Sequence, residues 1–175
     1  GIGKTEGIHQ AVAEEGDVMC DIRVSQYEGI DFRGIPDVQE RMTVWNLPAT
    51  LPFKGNPKFD EDGPDICLYA DEADHGEPSV NSVLYQLFNE RRVGEHILMD
   101  NVYIVAASNL ATDRGVHNRV PSPLNNRFTH FELLADVKPW SAWAQSRNYS
   151  PVLIGFLNFR SELLHAAKRR RLVYA

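Results

Sequence analysis

The residues able to do chemistry fall in four short clusters, and the first is Gly1-Ile2-Gly3-Lys4-Thr5. A phosphate-binding loop reads G-x-x-x-x-G-K-[ST], and its glycines let backbone N–H groups approach phosphate oxygens. The later half of that pattern stands here, directly before a helical stripe of Ile8, Ala11 and Val12. Gly1 and Gly3 would admit the phosphates to the backbone, and the helix N-terminus would add a favourable dipole. Lys4 would reach the β- and γ-phosphates, and the Thr5 hydroxyl would ligate Mg²⁺. Taken alone, the segment also reads as a glycine-rich helix start with an exposed lysine.

The second cluster, Asp71-Glu72, ends the apolar run Ile66-Cys67-Leu68-Tyr69-Ala70. Ligands of a parallel sheet gather at the carboxyl ends of its strands. Asp71 there would hold the Mg²⁺ shell, and Glu72 would polarise the attacking water. The third is Ala106-Ala107-Ser108-Asn109, where Asn109 would orient water against the γ-phosphate or, alone, merely end a strand. The fourth is Pro123-Leu124-Asn125-Asn126-Arg127-Phe128. Arg127 would stabilise transferring charge in a neighbouring subunit, or is a surface arginine. Each cluster is common by itself, and the ordered set points to ATP hydrolysis.

The elements that must position these residues alternate between helix and strand. Helical spacing runs from Thr5 to a stop at Gly16, and Val18, Cys20, Ile22 and Val24 alternate as in a strand. Residues 28–64 are broken by glycines and prolines, and so long an insertion in a compact domain is more often functional than accidental. Ile66–Ala70 reads as a central parallel strand. Val80, Val83, Leu84, Leu87 and Phe88 form a helical core stripe closed by Gly94. Further strands are expected over Val102–Ala107 and Phe128–Leu133. Helices follow around Trp140 and Trp143, over Pro151–Leu157 and over Ser161–Ala167. This order predicts an α/β fold, a doubly wound parallel sheet flanked by helices.

The 175 residues suffice for one domain with a sizeable core, and 43% hydrophobic with 24% charged residues is an ordinary globular balance. A net charge of -6 argues against a general nucleic-acid binder. Cys20 and Cys67 lie in apolar runs and read as buried, reduced thiols. No apolar run reaches membrane-spanning length and no signal peptide is present, so a cytoplasmic protein is expected. Lys168-Arg169-Arg170-Arg171 reads as a solvated helix end.

Taken together, G-x-G-K-T, apolar-D-E, A-A-S-N and L-x-N-R-F resemble the MoxR branch of AAA+ ATPases, close also to the dynein-related AAA group. Asp21-Ile22-Arg23-Val24-Ser25-Gln26 with Asp31-Phe32-Arg33-Gly34 is similar to the segment after that family's second strand. So is Asp113-Arg114-Gly115 leading through Arg119 to Pro121-Ser122-Pro123. The resemblance spans nearly the whole chain. It implies that Lys4 and Thr5 belong to Walker A, Asp71 and Glu72 to Walker B, Asn109 to sensor one, and Arg127 to an arginine finger. Arg119 would be a further trans-acting arginine.

The same resemblance implies an ATPase core over residues 1–137, with an insertion at about 33–64, and over 138–175 a helical segment leading into a truncated lid. The strand before the phosphate loop is missing, and the chain is expected to be a piece of a longer product that starts inside that loop. ATP and Mg²⁺ are the implied cofactors. A hexameric homo-oligomeric ring, a protein client and a von Willebrand factor A domain partner are the implied company. Within the insertion, Trp45 and Phe53 are its apolar tips, placed either in local packing or against a client. A motor acting on nucleic acid and a non-catalytic interaction fragment are the alternatives.

Overall fold

A computed structural model describes residues 3–73, 76–108 and 127–164. The described residues divide into one unit of Lys4–Thr129 and another that joins Gly3 to the residues from His130 onward. The first is α/β. Its first helix, α1 (Lys4–Glu15), buries Val12 and ends at Gly16, whose φ of 82° lies in the left-handed region that glycine adopts without penalty. Strand β1 (Val18–Arg23) follows, and Val24 turns into a short 3₁₀ segment instead of extending it.

The segment read as irregular is more ordered than its glycines and prolines suggest. It holds α2 (Gly29–Arg33) and a hairpin of β2 (Pro36–Gln39) with β3 (Met42–Trp45). The two-residue turn between them, Glu40-Arg41, has positive φ at both positions, the twist a tight hairpin requires. Gly34 is obligatory, because a Cβ there would stand 1.9 Å from the Asn46 carbonyl oxygen. Beyond the hairpin, Leu51 and Phe53 are fully buried in the main core. Phe53 is therefore a packing residue, and the client-contact alternative for it is corrected. Trp45 is half-buried beneath the Arg33 guanidinium, 4.2 Å from its ring centre.

Strand β4 (Ile66–Asp71) is buried at every position, as a central parallel strand should be. Helix α3 (Pro78–Glu90) then packs Val80, Leu84 and Leu87 into the core. It ends at Arg91, in left-handed conformation with φ 54°, and Gly94 instead makes the turn between β5 (Arg92–Val93) and β6 (His96–Ile97). Strand β7 (Val102–Ala106) completes a parallel sheet of order β1-β4-β7. Alternation in β4 divides the packing: Ile66, Leu68 and Ala70 join the α3 core, while Cys67 and Tyr69 pack with Val12 of α1.

Residues 128–133 are not a strand. An isolated extended segment gains nothing without a ladder partner, and Phe131 and Leu133 are exposed. Phe128 instead sets its ring edge-on against Phe88.

In the second unit, α4 (Val137–Ser146) is capped by the Asp136 carboxylate, which accepts from the Lys138 N–H. Helix α5 (Pro151–Phe159) begins on a proline, buries Ile154, and is tied to α4 by Asn158 donating to the Ser141 hydroxyl at 3.0 Å. The expected last helix is a 3₁₀ turn over Ser161–Leu163 in its described part. Residues 165–167 and the basic run 168–171 lie outside the described residues. No helix among the described residues is long and apolar enough to cross a membrane.

Candidate functional site

Strand order brings the first two chemical clusters together. β4 lies between β1 and β7, so its carboxyl end opens beside the start of α1, which covers the Cys67–Tyr69 face. Gly3 has φ 83° immediately before Lys4, turning the backbone into the helix. Thr5, in the first turn, donates its hydroxyl to Asp71 Oδ2 at 2.9 Å. The Tyr69 hydroxyl lies 3.4 Å from the same Thr5 oxygen.

Asp71 is 8% exposed. Its other oxygen, Oδ1, accepts from the Glu72 N–H at 3.0 Å, and Arg23 Nη2 of the neighbouring strand stands 4.0 Å from Oδ2. A buried carboxylate needs compensating charge and hydrogen bonds. Here one hydroxyl, one amide and a half-exposed guanidinium supply them. Mg²⁺ takes oxygen ligands and commonly keeps waters and substrate phosphates beside one or two protein groups. Thr5 Oγ1 and the Asp71 carboxylate fit that requirement. Among the described residues, no cluster of three or more His, Cys, Asp or Glu side chains is arranged to hold a metal.

Lys4 Nζ donates to the Ser108 carbonyl at 2.5 Å, which places the end of β7 against the helix start. Two backbone bonds carry the sheet beyond β7: Ala107 donates to Ala70, and Ala73 donates to Ala107. Glu72 itself has φ 55°, an uncommon conformation for a residue with a Cβ. Its carboxylate accepts from the Ser25 hydroxyl at 2.6 Å. Burial, countered by the Thr5 contact and reinforced by the Asp71 charge, raises the Tyr69 phenol above its ordinary value, keeping it protonated.

The site thus gathers Lys4, Thr5, Asp71 and Glu72. Arg127 is exposed at the other end of the unit's sequence. Gly1, Asn109 and Arg119 lie outside the described residues. Sequence reasoning gave no role to Ser25, Arg23, Tyr69 or Ser108. Tyr69 carried a signal: a polar-tipped residue two before Asp71 on an apolar strand shares its face.

No family model matches this chain, and no curated protein matches it.

Proposed function

We propose that this chain is the core of an AAA+ ATPase of the MoxR-like branch, which binds ATP with Mg²⁺ and hydrolyses it. The observation that carries this reading is the Thr5–Asp71 hydrogen bond, which joins a G-K-T helix start to the acidic end of a central parallel strand. Two motifs distant in sequence share one point in space, at the sheet edge where such folds bind ligands.

Lys4 and the N-terminal N–H groups of α1 bind the phosphates. Thr5 and Asp71 would hold the metal, which would supply positive charge against the phosphates. Glu72 accepts a proton from the water that attacks the γ-phosphate, and its carboxylate is held at the sheet edge by Ser25. Asn109 orients that water. Arg127, and with it Arg119, enters the site of the next subunit in a hexameric homo-oligomeric ring, where fixed positive charge stabilises the transition state.

The work of the ring is remodelling of a protein client, together with a von Willebrand factor A domain partner, in the cytoplasm. The β2–β3 hairpin supports a protein client: Val38 and Met42 are exposed on it beside Asp37, Glu40 and Arg41, a mixed surface unsuited to a polyanion. The test is ATP turnover by the full-length protein and its Glu72→Gln variant. The amide keeps the side chain's shape and cannot take the proton, so binding persists while turnover falls by about 10²-fold or more. Undiminished turnover removes Glu72 from the mechanism.

A further inference from the structure

Tyr69 is fully buried, with its ring packed beside Val12 and Cys67 and met edge-on by His9 at 6.4 Å. An aliphatic residue would fill that space without bringing a polar atom into the core. A buried tyrosine hydroxyl normally finds a partner, and here it faces the Thr5 hydroxyl.

A threonine hydroxyl has one proton and two lone pairs. The Thr5 proton is committed to Asp71 Oδ2. The Tyr69 hydroxyl donates to one lone pair and so leaves one free. We propose that Tyr69 is a positioning residue that fixes the Thr5 rotor and aims its free lone pair at the cation. This inference rests on the ATPase reading. The 3.4 Å separation makes the hydrogen bond a long one, so its effect is modest and falls on metal affinity rather than on the phosphates.

The experiment uses the full-length protein with a non-hydrolysable ATP analogue, titrated with Mn²⁺ and read by the loss of the free-ion EPR signal. Tyr69→Phe keeps the ring and removes only the hydroxyl. It should weaken Mn²⁺ binding about three- to tenfold, the effect of one neutral hydrogen bond. Analogue affinity without metal should stay within twofold of wild type. In a Thr5→Ala background, Tyr69→Phe should lose most of its effect on Mn²⁺ affinity, because the hydroxyl through which it chiefly acts is gone. Circular dichroism of each variant establishes that it is folded.

Equal Mn²⁺ affinity in wild type and Tyr69→Phe overturns the inference and leaves the ATPase reading intact. So does an undiminished effect in the Thr5→Ala background, or an equal loss of metal-free binding. A wild-type protein that binds neither analogue nor Mn²⁺ overturns both.

Discussion

Thr5 and Asp71 stand 66 positions apart in sequence and meet through a 2.9 Å hydrogen bond where α1 begins and β4 ends. Neither element makes that point alone. The helix start contributes a hydroxyl beside backbone donors, and the buried strand delivers a carboxylate compensated by that hydroxyl, one amide and the neighbouring Arg23 guanidinium. Their meeting gives the proposed nucleotide site its geometry.

Phe53→Ala should destabilise the protein by about 3–5 kcal/mol, because the ring is fully buried and its removal leaves a cavity. Trp45→Ala should cost about 1 kcal/mol, the value of a half-exposed ring under a guanidinium. Chemical denaturation measures both. A small effect at Phe53 would return it to the pool of surface contacts.

Burial, then the Asp21 charge and the neighbouring Cys67, push the Cys20 thiol up to about 12 from an ordinary 9.0. The folded state therefore holds this proton more tightly than the unfolded chain. The stability linked to it is fully present below pH 9 and is lost as pH rises toward 12. The unfolding free energy should fall by up to about 1.4 kcal/mol per pH unit in that window. Cys20→Ala should flatten the slope, with a remainder from Cys67 and from Tyr27, Tyr69 and Tyr103, all of which burial also raises. An identical alkaline slope in that variant would assign the loss to other groups.

Arg127 is exposed within its own unit and is proposed to serve a neighbouring subunit. In the full-length protein, Arg127→Ala should bind ATP almost normally and lose about 10³-fold or more in turnover. Mixing it with Lys4→Ala subunits should restore part of the activity, since some interfaces then pair an intact Lys4 with an intact Arg127. No recovery in demonstrated mixed rings places Arg127 in its own subunit's site or outside the mechanism.

The sheet was legible where the sequence pattern is dictated by burial alone. Ile66–Ala70 is apolar because both faces are covered, and the α3 stripe follows the helical period. The insertion misled because its breakers mark short elements as readily as loops: Glu40-Arg41 turns tightly without glycine, and Phe53 enters the core from an irregular stretch. Phe128–Leu133 has strand-forming residues, but strand formation depends on a partner edge that no local pattern encodes. Gly94 was assigned to a helix end that Arg91 makes instead, its guanidinium donating to the carbonyls of Met99 and Val102. At the site, Lys4, Thr5, Asp71 and Glu72 were visible as motif residues. Ser25 was not, because its role comes from where the chain turns after β1, and Tyr69 showed only its shared face with Asp71, its partner on α1 being set by which face of β4 meets that helix.

The most direct measurement is the ATP-binding isotherm of the full-length protein and of Asp71→Ala, each with and without Mg²⁺, in the absence of turnover. Asp71 is proposed to hold the metal and not the phosphates. Mg²⁺ should therefore tighten ATP binding about tenfold or more in wild type, while in Asp71→Ala most of that gain disappears and metal-free affinity is kept or slightly improved by the loss of negative charge. A wild-type protein that binds no ATP, or an Asp71→Ala variant with an undiminished Mg²⁺ response, would contradict the account.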